Sequence, residues 1–136
     1  LLFLAAWGND TLAYCTGMLI GKHKMSPILS PKKSIEGLVG GIVGAAILGA
    51  LYGLYLNTYI RFSFNPVTMF PIVCGLGGAV SVIGDLAASA IKRDSGIKDY
   101  GTLIPGHGGI LDRFDSIIFI APVIYYLTVM ISGGAI

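Results

Sequence analysis

The sequence predicts an all-α fold, a polytopic bundle with about four transmembrane helices, and three observations carry that reading. Of the 136 residues, 54% are hydrophobic and only 12% charged, with a mean hydropathy of +0.80, far more apolar than an average soluble domain. The apolar residues gather into four stretches of about 20, the length that crosses a bilayer core. Twenty glycines would weaken free helices, but in a membrane small residues let helix backbones approach closely. The length holds these crossings and their loops without a separate soluble domain, so one transmembrane domain covering residues 1–136 is expected.

The first segment, residues 1–20, carries Asn9 and Asp10 in its middle. It is apolar from Leu1 onward, without an initiator Met or a basic n-region, and so reads as the start of a piece of a longer protein rather than as a signal peptide. Residues 21–36 connect it to the next segment and hold Lys22, His23, Lys24, Lys32 and Lys33. Ser30 before Pro31 is the arrangement of an N-cap and first helical residue, which predicts a helix start there. Free N–H groups beside Lys32 and Lys33 would suit a phosphate. The plainer account of these lysines is membrane topology, preferred for Lys22 and Lys24; both readings stand for Lys32 and Lys33.

In the second segment, residues 37–56, Gly37, Gly40, Gly41 and Gly44 share one helical face, with Gly49 and Gly53 roughly opposite. Small residues on two faces predict a scaffolding helix sandwiched between two neighbours, with no chemistry of its own. A connection at 57–65 holds a single basic residue, Arg61. The third segment, 66–91, is long enough to tilt or to project its last turn from the bilayer. The fourth begins at 111 or 114 and ends at 131. Eight of the nine basic residues fall on the side of the first and third connections, which the positive-inside rule makes cytoplasmic. Cys15 and Cys74 lack any spacing typical of a metal site or a disulfide framework and are expected to be small buried residues.

Asp10 and Asp85 lie within apolar segments, where an ionised carboxylate costs about 2.5–3.5 kcal/mol on insertion scales. Either each packs against a neighbouring helix by hydrogen bonding, or it faces a polar cavity; residues of this kind are functional by default. Ser81, Asp85, Ser89 and Lys92 recur at helical spacing and form one polar stripe down the third segment. Serines alone are common helix-packing residues, but a carboxylate at mid-stripe suggests a cavity wall.

Beyond the stripe come Lys92, Arg93, Asp94, Lys98 and Asp99, then Pro105-Gly106-His107-Gly108-Gly109, then Asp112, Arg113 and Asp115. Asp112 and Asp115 are one turn apart, so both can face the third helix and Asp85. Converging carboxylates repel one another, and a divalent cation relieves this; an all-oxygen set with few protein groups suits Mg²⁺. The glycines around His107 permit backbone N–H groups to approach an anion. Lys92, Arg93, Lys98, His107 and Arg113 strengthen the case for phosphate, because phosphoryl chemistry is largely charge neutralisation and positioning. The alternative, attraction to anionic lipid headgroups, explains the cations but not the interleaved acids. His107 by itself reads more simply as a loop hydrogen-bonding residue than as a general base.

The run from Ser89 through Lys92-Arg93-Asp94-Ser95-Gly96-Ile97-Lys98-Asp99, followed by Pro105-Gly106-His107-Gly108-Gly109 and Asp112-Arg113-Phe114-Asp115, resembles the signature of phosphatidate cytidylyltransferases. Ser30-Pro31-Lys32-Lys33-Ser34-Ile35-Glu36-Gly37 resembles a second block of that family, and Asn9-Asp10 with Ala13-Tyr14 a third. The resemblance implies a membrane enzyme that joins CTP to phosphatidic acid, giving CDP-diacylglycerol and pyrophosphate. Carried over, it makes Asp85 and Asp112 the main carboxylates for Mg²⁺, supported by Asp115, with room for a second cation. Lys92, Arg93, Lys98 and Arg113 are then expected to hold phosphates, with Lys92 and Arg113 acting in catalysis. Ser30, Lys32 and Lys33 are expected to bind the nucleotide, and Ser89, His107, Gly108 and Gly109 to complete the substrate contacts. Membrane lipid and a second copy of the chain are the expected partners, and nucleic acid is not. The bacterial inner membrane, with the site facing the cytoplasm, is the expected location. Family members carry further membrane helices before the segment that begins here.

Two other functions fit part of the pattern. An ion-coupled transporter also uses intramembrane acids and glycine-interrupted helices, but leaves the dense basic and acidic cluster unexplained. A CTP-dependent lipid kinase of the polyprenol type would transfer the γ-phosphoryl group and leave CDP.

Overall fold

The structure, a computed structural model, describes residues 1–28, 30–97, 101 and 111–133, with the side chains of 30–32 and 111–113 outside that description. A π-helical turn at Leu4–Gly8 runs directly into α1 (Asn9–Ile20). A two-stranded antiparallel hairpin follows, β1 (Lys24–Ser26) with β2 (Ser30–Ser34), then α2 (Ile35–Tyr59), α3 (Pro66–Asp94) and α4 (Leu111–Ile131). The all-α bundle predicted from hydropathy is present, and α2, α3 and residues Phe114–Ile131 of α4 are each long and apolar enough to cross a membrane. The first apolar segment is instead divided between the π-helical turn and the shorter α1.

The hairpin corrects one expectation. Ser30 and Pro31 do not start α2, because residues 30–34 pair with 24–26 as a strand. Ser34 is the N-cap, its hydroxyl accepting from the Gly37 N–H at 3.1 Å. The Ile35 N–H donates to the His23 carbonyl at 2.9 Å, and His23 in turn bonds the Glu36 carboxylate, with Nδ1 2.6 Å from Oε1. These bonds satisfy the Ile35 and Gly37 N–H groups, which lie in the first turn of α2 and have no intrahelical partner.

α3 opens on an Asn65 cap, whose Oδ1 accepts from the Val67 N–H at 3.0 Å, with Pro66 in the first turn where its missing N–H costs nothing. It closes in a Schellman turn: the Ile97 N–H reaches the Lys92 carbonyl at 2.9 Å and the Gly96 N–H reaches the Arg93 carbonyl at 3.1 Å. Gly96 stands there at φ +69°, a conformation that side chains disfavour.

α2 lies between two helices, as its glycines predicted. A Cβ on Gly37 would meet the Ala13 carbonyl of α1 at 2.7 Å, and one on Gly41 would meet the Ala13 Cβ at 2.8 Å. On the other face, a Cβ on Gly49 would lie 2.6 Å from the Phe70 carbonyl of α3. α3 in turn packs against α4 and the π-helical turn, around a core of Ala5, Ala6, Ala45, Met69, Phe70, Val73, Cys74, Ile117, Ile120 and Ile124. Outside that core the helices present apolar side chains such as Leu19, Ile83 and Met130. An apolar exterior over long apolar helices is the surface of an integral membrane protein. Cys74 is buried as expected, but Cys15 is exposed on α1, which is covered by α2 along one face and leaves Cys15 on another.

Candidate functional site

The charged side chains of the first connection and of mid-α3 meet directly. Lys33, the penultimate residue of β2, places Nζ 2.6 Å from Asp85 Oδ2 of α3. Neither group is sealed off: the side chains are 31% and 18% exposed. The strand and the cap explain the approach. Ser34 must face the first turn of α2 to accept from Gly37, and alternation along an extended backbone turns the preceding residue the other way.

Two cavities meet at this pair. The larger, about 810 Å³, is lined by Trp7, Asp10, Thr11, Lys33, Asp85, Ser89, Phe114, Asp115 and Ser116. The smaller, about 220 Å³, has a more apolar wall that includes Ala13, Tyr14, Met25, Leu38 and Val82, with Asn9 and Ser34. Asp10, Lys33 and Asp85 line both. Asp10 comes from the first turn of α1, Asp85 from α3 and Asp115 from the start of α4, where its Oδ1 accepts from the Ser116 N–H at 2.7 Å. Three helices therefore bring three carboxylates to one cavity, with an ammonium among them.

The predicted stripe on α3 divides along its length. Ser81 is fully buried, its hydroxyl without a hydrogen-bond partner among the described residues, whereas Asp85 and Ser89 reach the larger cavity. Lys92 and Arg93 occupy the last turn of α3. Asp112 and Arg113 lie in the first turn of α4, with side chains outside the described residues. Ser30 and Lys32 lie in β2, likewise without described side chains, and Lys98, His107, Gly108 and Gly109 fall wholly outside the description.

Asp10 joins the site although the sequence assigned it no metal or substrate role; its cost within an apolar segment and the resemblance of Asn9-Asp10 to a family block were what marked it. Beside it, Asn9 is completely buried where α1 meets α2 and α3; its Nδ2 approaches Asp10 Oδ1 at 3.5 Å and its Oδ1 has no hydrogen-bond partner among the described residues. Trp7 and Thr11 carried no sequence signal, because an aromatic or threonine in an apolar run is indistinguishable from a packing residue.

The donor types, carboxylate and hydroxyl oxygens, are those of a hard divalent cation. Among the described residues no three acidic, imidazole or thiol groups converge closely enough to hold a metal by themselves. Asp85 spends one oxygen on Lys33. The arrangement can bind an anion through Lys33 and a cation through the carboxylates, at the junction of a polar cavity and a more apolar one.

A bundle of long apolar helices with an apolar exterior belongs to the class of integral membrane proteins. The profile of the cytidylyltransferase family matches residues 1–131, and the chain belongs to that family. It is 40% identical over 129 residues to the phosphatidate cytidylyltransferase of Staphylococcus saprophyticus, covering 95% of this chain and 48% of that protein. It is 42% identical over 127 residues to the phosphatidate cytidylyltransferase of Staphylococcus aureus, covering 93% and 47%. The chain thus spans about half the length of the curated relatives it matches.

Proposed function

We propose that the protein is a phosphatidate cytidylyltransferase and that this chain carries its catalytic site. A phosphate oxygen of phosphatidic acid attacks the α-phosphorus of CTP. The bond from that phosphorus to the bridging oxygen breaks, and pyrophosphate leaves with the electron pair, giving CDP-diacylglycerol. The observation that carries the reading is the Lys33–Asp85 pair at the wall shared by two cavities of different character. The larger, with Thr11, Ser89, Asp115 and Ser116, suits the polar nucleotide and its phosphates. The smaller, with Ala13, Met25, Leu38 and Val82, suits the glycerol and first acyl carbons of a lipid. The names of the relatives support the same reaction.

Lys33 binds and orients phosphate at the junction, with Ser30 and Lys32 of the same strand toward the nucleotide. Lys92 and Arg93 at the end of α3, with Lys98 and Arg113, hold the remaining phosphate charge; Ser89, His107, Gly108 and Gly109 complete the contacts. Asp85 and Asp112, supported by Asp115, hold a divalent cation, Mg²⁺ by donor type, with space for a second ion. When bound, the cation neutralises charge on the phosphates and on the departing pyrophosphate. The site faces the cytoplasm at the bacterial inner membrane, on the side where the lysines and arginines concentrate. The assembly is a homodimer set in membrane lipid.

Pyrophosphate release by the full-length membrane protein, supplied with CTP and phosphatidic acid with and without Mg²⁺, tests the proposal. Release that needs both lipid and metal, and that Asp112→Asn removes, supports cytidylyl transfer. CDP as the nucleotide product, or no turnover by a folded preparation, would replace it with the kinase or the transporter.

A further inference from the structure

Lys33 does more in this geometry than add one positive charge. Its ammonium touches Asp85, and both residues, with Asp10, line both cavities. Asp115 faces the larger cavity as well. Carboxylates gathered in a partly buried space repel one another, and an ammonium on Asp85 relieves part of that repulsion before any substrate arrives. The pair is accessible enough to exchange, with Lys33 31% and Asp85 18% exposed.

The backbone around Lys33 is held by the hairpin, where Ser26 pairs with Ser30 and Lys24 with Ser34, and by the start of α2. Ser34 caps α2, the Ile35 N–H is bonded to His23, and His23 is bonded to Glu36. The strand therefore stays in place while the four-carbon stem of Lys33 can turn, and a lysine ammonium is a compact donor suited to such a change of partner. From the shared wall the ammonium reaches the Asp85 carboxylate and borders both cavities.

We infer that Lys33 is an exchangeable internal counter-ion: it neutralises Asp85 before substrate binds, and a divalent cation taking Asp85 Oδ2 releases the ammonium to the substrate phosphates. The inference rests on the proposed role of Asp85 as a metal carboxylate. Its consequence is coupling. Metal alone must displace Lys33 without compensation, whereas metal together with nucleotide gives the displaced ammonium a new partner, so each ligand tightens the other.

Mn²⁺ titration of the full-length protein in detergent micelles, followed by the electron paramagnetic resonance signal of free Mn²⁺, separates the possibilities. Wild type is expected to bind Mn²⁺ weakly alone and roughly tenfold tighter with CTP. Lys33→Met, and Lys33→Gln as a second variant, are expected to bind Mn²⁺ alone roughly tenfold tighter than wild type and to lose most of the enhancement by CTP. Asp85→Asn is expected to lose Mn²⁺ binding in either background. Unchanged or weaker Mn²⁺ binding in both folded Lys33 variants, with Asp85→Asn still defective, overturns the counter-ion role alone. Wild-type Mn²⁺ binding by Asp85→Asn overturns the metal role on which it rests.

Discussion

Asn9 occupies the space that Gly41 leaves vacant: a Cβ on Gly41 would stand 2.7 Å from Asn9 Oδ1 and 2.9 Å from the Asn9 carbonyl oxygen. Gly78 of α3 borders the same side chain, with a Cβ there 3.1 Å from Oδ1. The fully buried carboxamide is thus wedged among three helices, next to Asp10, one of the two carboxylates that line both cavities.

Gly41→Ala is expected to destabilise the protein by about 1–3 kcal/mol, because the added methyl meets backbone and a side chain with nowhere to move. Thermal unfolding in detergent measures this. The activity loss is expected to exceed the loss of folded protein, since Asp10 follows Asn9 directly. An unfolding midpoint equal to wild type would show that α1 and α2 are not held this closely.

Two glycines facing the α2–α3 interface should respond oppositely. Gly49→Ala drives a Cβ to within 2.6 Å of the Phe70 carbonyl oxygen, whereas Gly75→Ala meets the Ala46 Cβ at 3.5 Å and the Ile42 carbonyl oxygen at 3.9 Å, both ordinary contacts. Gly49→Ala is therefore expected to lower stability by about 1–3 kcal/mol. Gly75→Ala is expected to be neutral or to stabilise by up to about 1 kcal/mol through helix propensity. Parallel melting curves decide it; equal effects would contradict the packing of α2 on α3.

Ser34→Ala removes the hydroxyl that caps α2, a loss of about 1 kcal/mol. The same residue holds the strand end from which Lys33 reaches Asp85, so the KM for CTP is expected to rise several-fold while Ser34→Thr restores most of it. Steady-state kinetics beside a melting curve separates the two effects. A stability loss with KM unchanged would restrict Ser34 to capping.

Asp85→Asn keeps the shape of the side chain but removes its charge, leaving the Lys33 ammonium without its ion-pair partner. Activity is expected to fall by a factor on the order of 10²–10³, comparable to the loss of a principal electrostatic group. Asp115→Asn, at the rim of the larger cavity, is expected to cost roughly 10–100-fold, as supporting groups do. Pyrophosphate release under saturating Mg²⁺ ranks them, and the reverse order would exchange their roles.

Much of this was legible in the residues. The hydropathy of the segments foretold a bundle, and the two glycine faces foretold the place of α2, because backbone approach requires small residues at helical spacing. Asp85 and Asp115 were named from the cost of charge in an apolar run and from their spacing, and they line one cavity. The start of α2 was not legible, since Ser30-Pro31 and Ser34 both carry cap chemistry and only the pairing of residues 24–26 with 30–34 chooses between them.

The sequence by itself determined that this is a membrane-spanning helical protein with costly acids in its apolar segments, because hydropathy and helical period are properties of neighbouring residues. It determined the family as well, because signature spacing is linear. Which charge meets which was decided only in three dimensions. Lys33 and Asp85 stand 52 positions apart, and their 2.6 Å contact depends on the hairpin, the Ser34 cap and the antiparallel return of α3 against α2. Likewise Asp10 becomes a cavity wall only because Asn9 fits between Gly41 and Gly78 and draws α1 onto both helices. Linear spacing governs a residue's place on its own helix, whereas contact between helices depends on close packing, which no single segment contains.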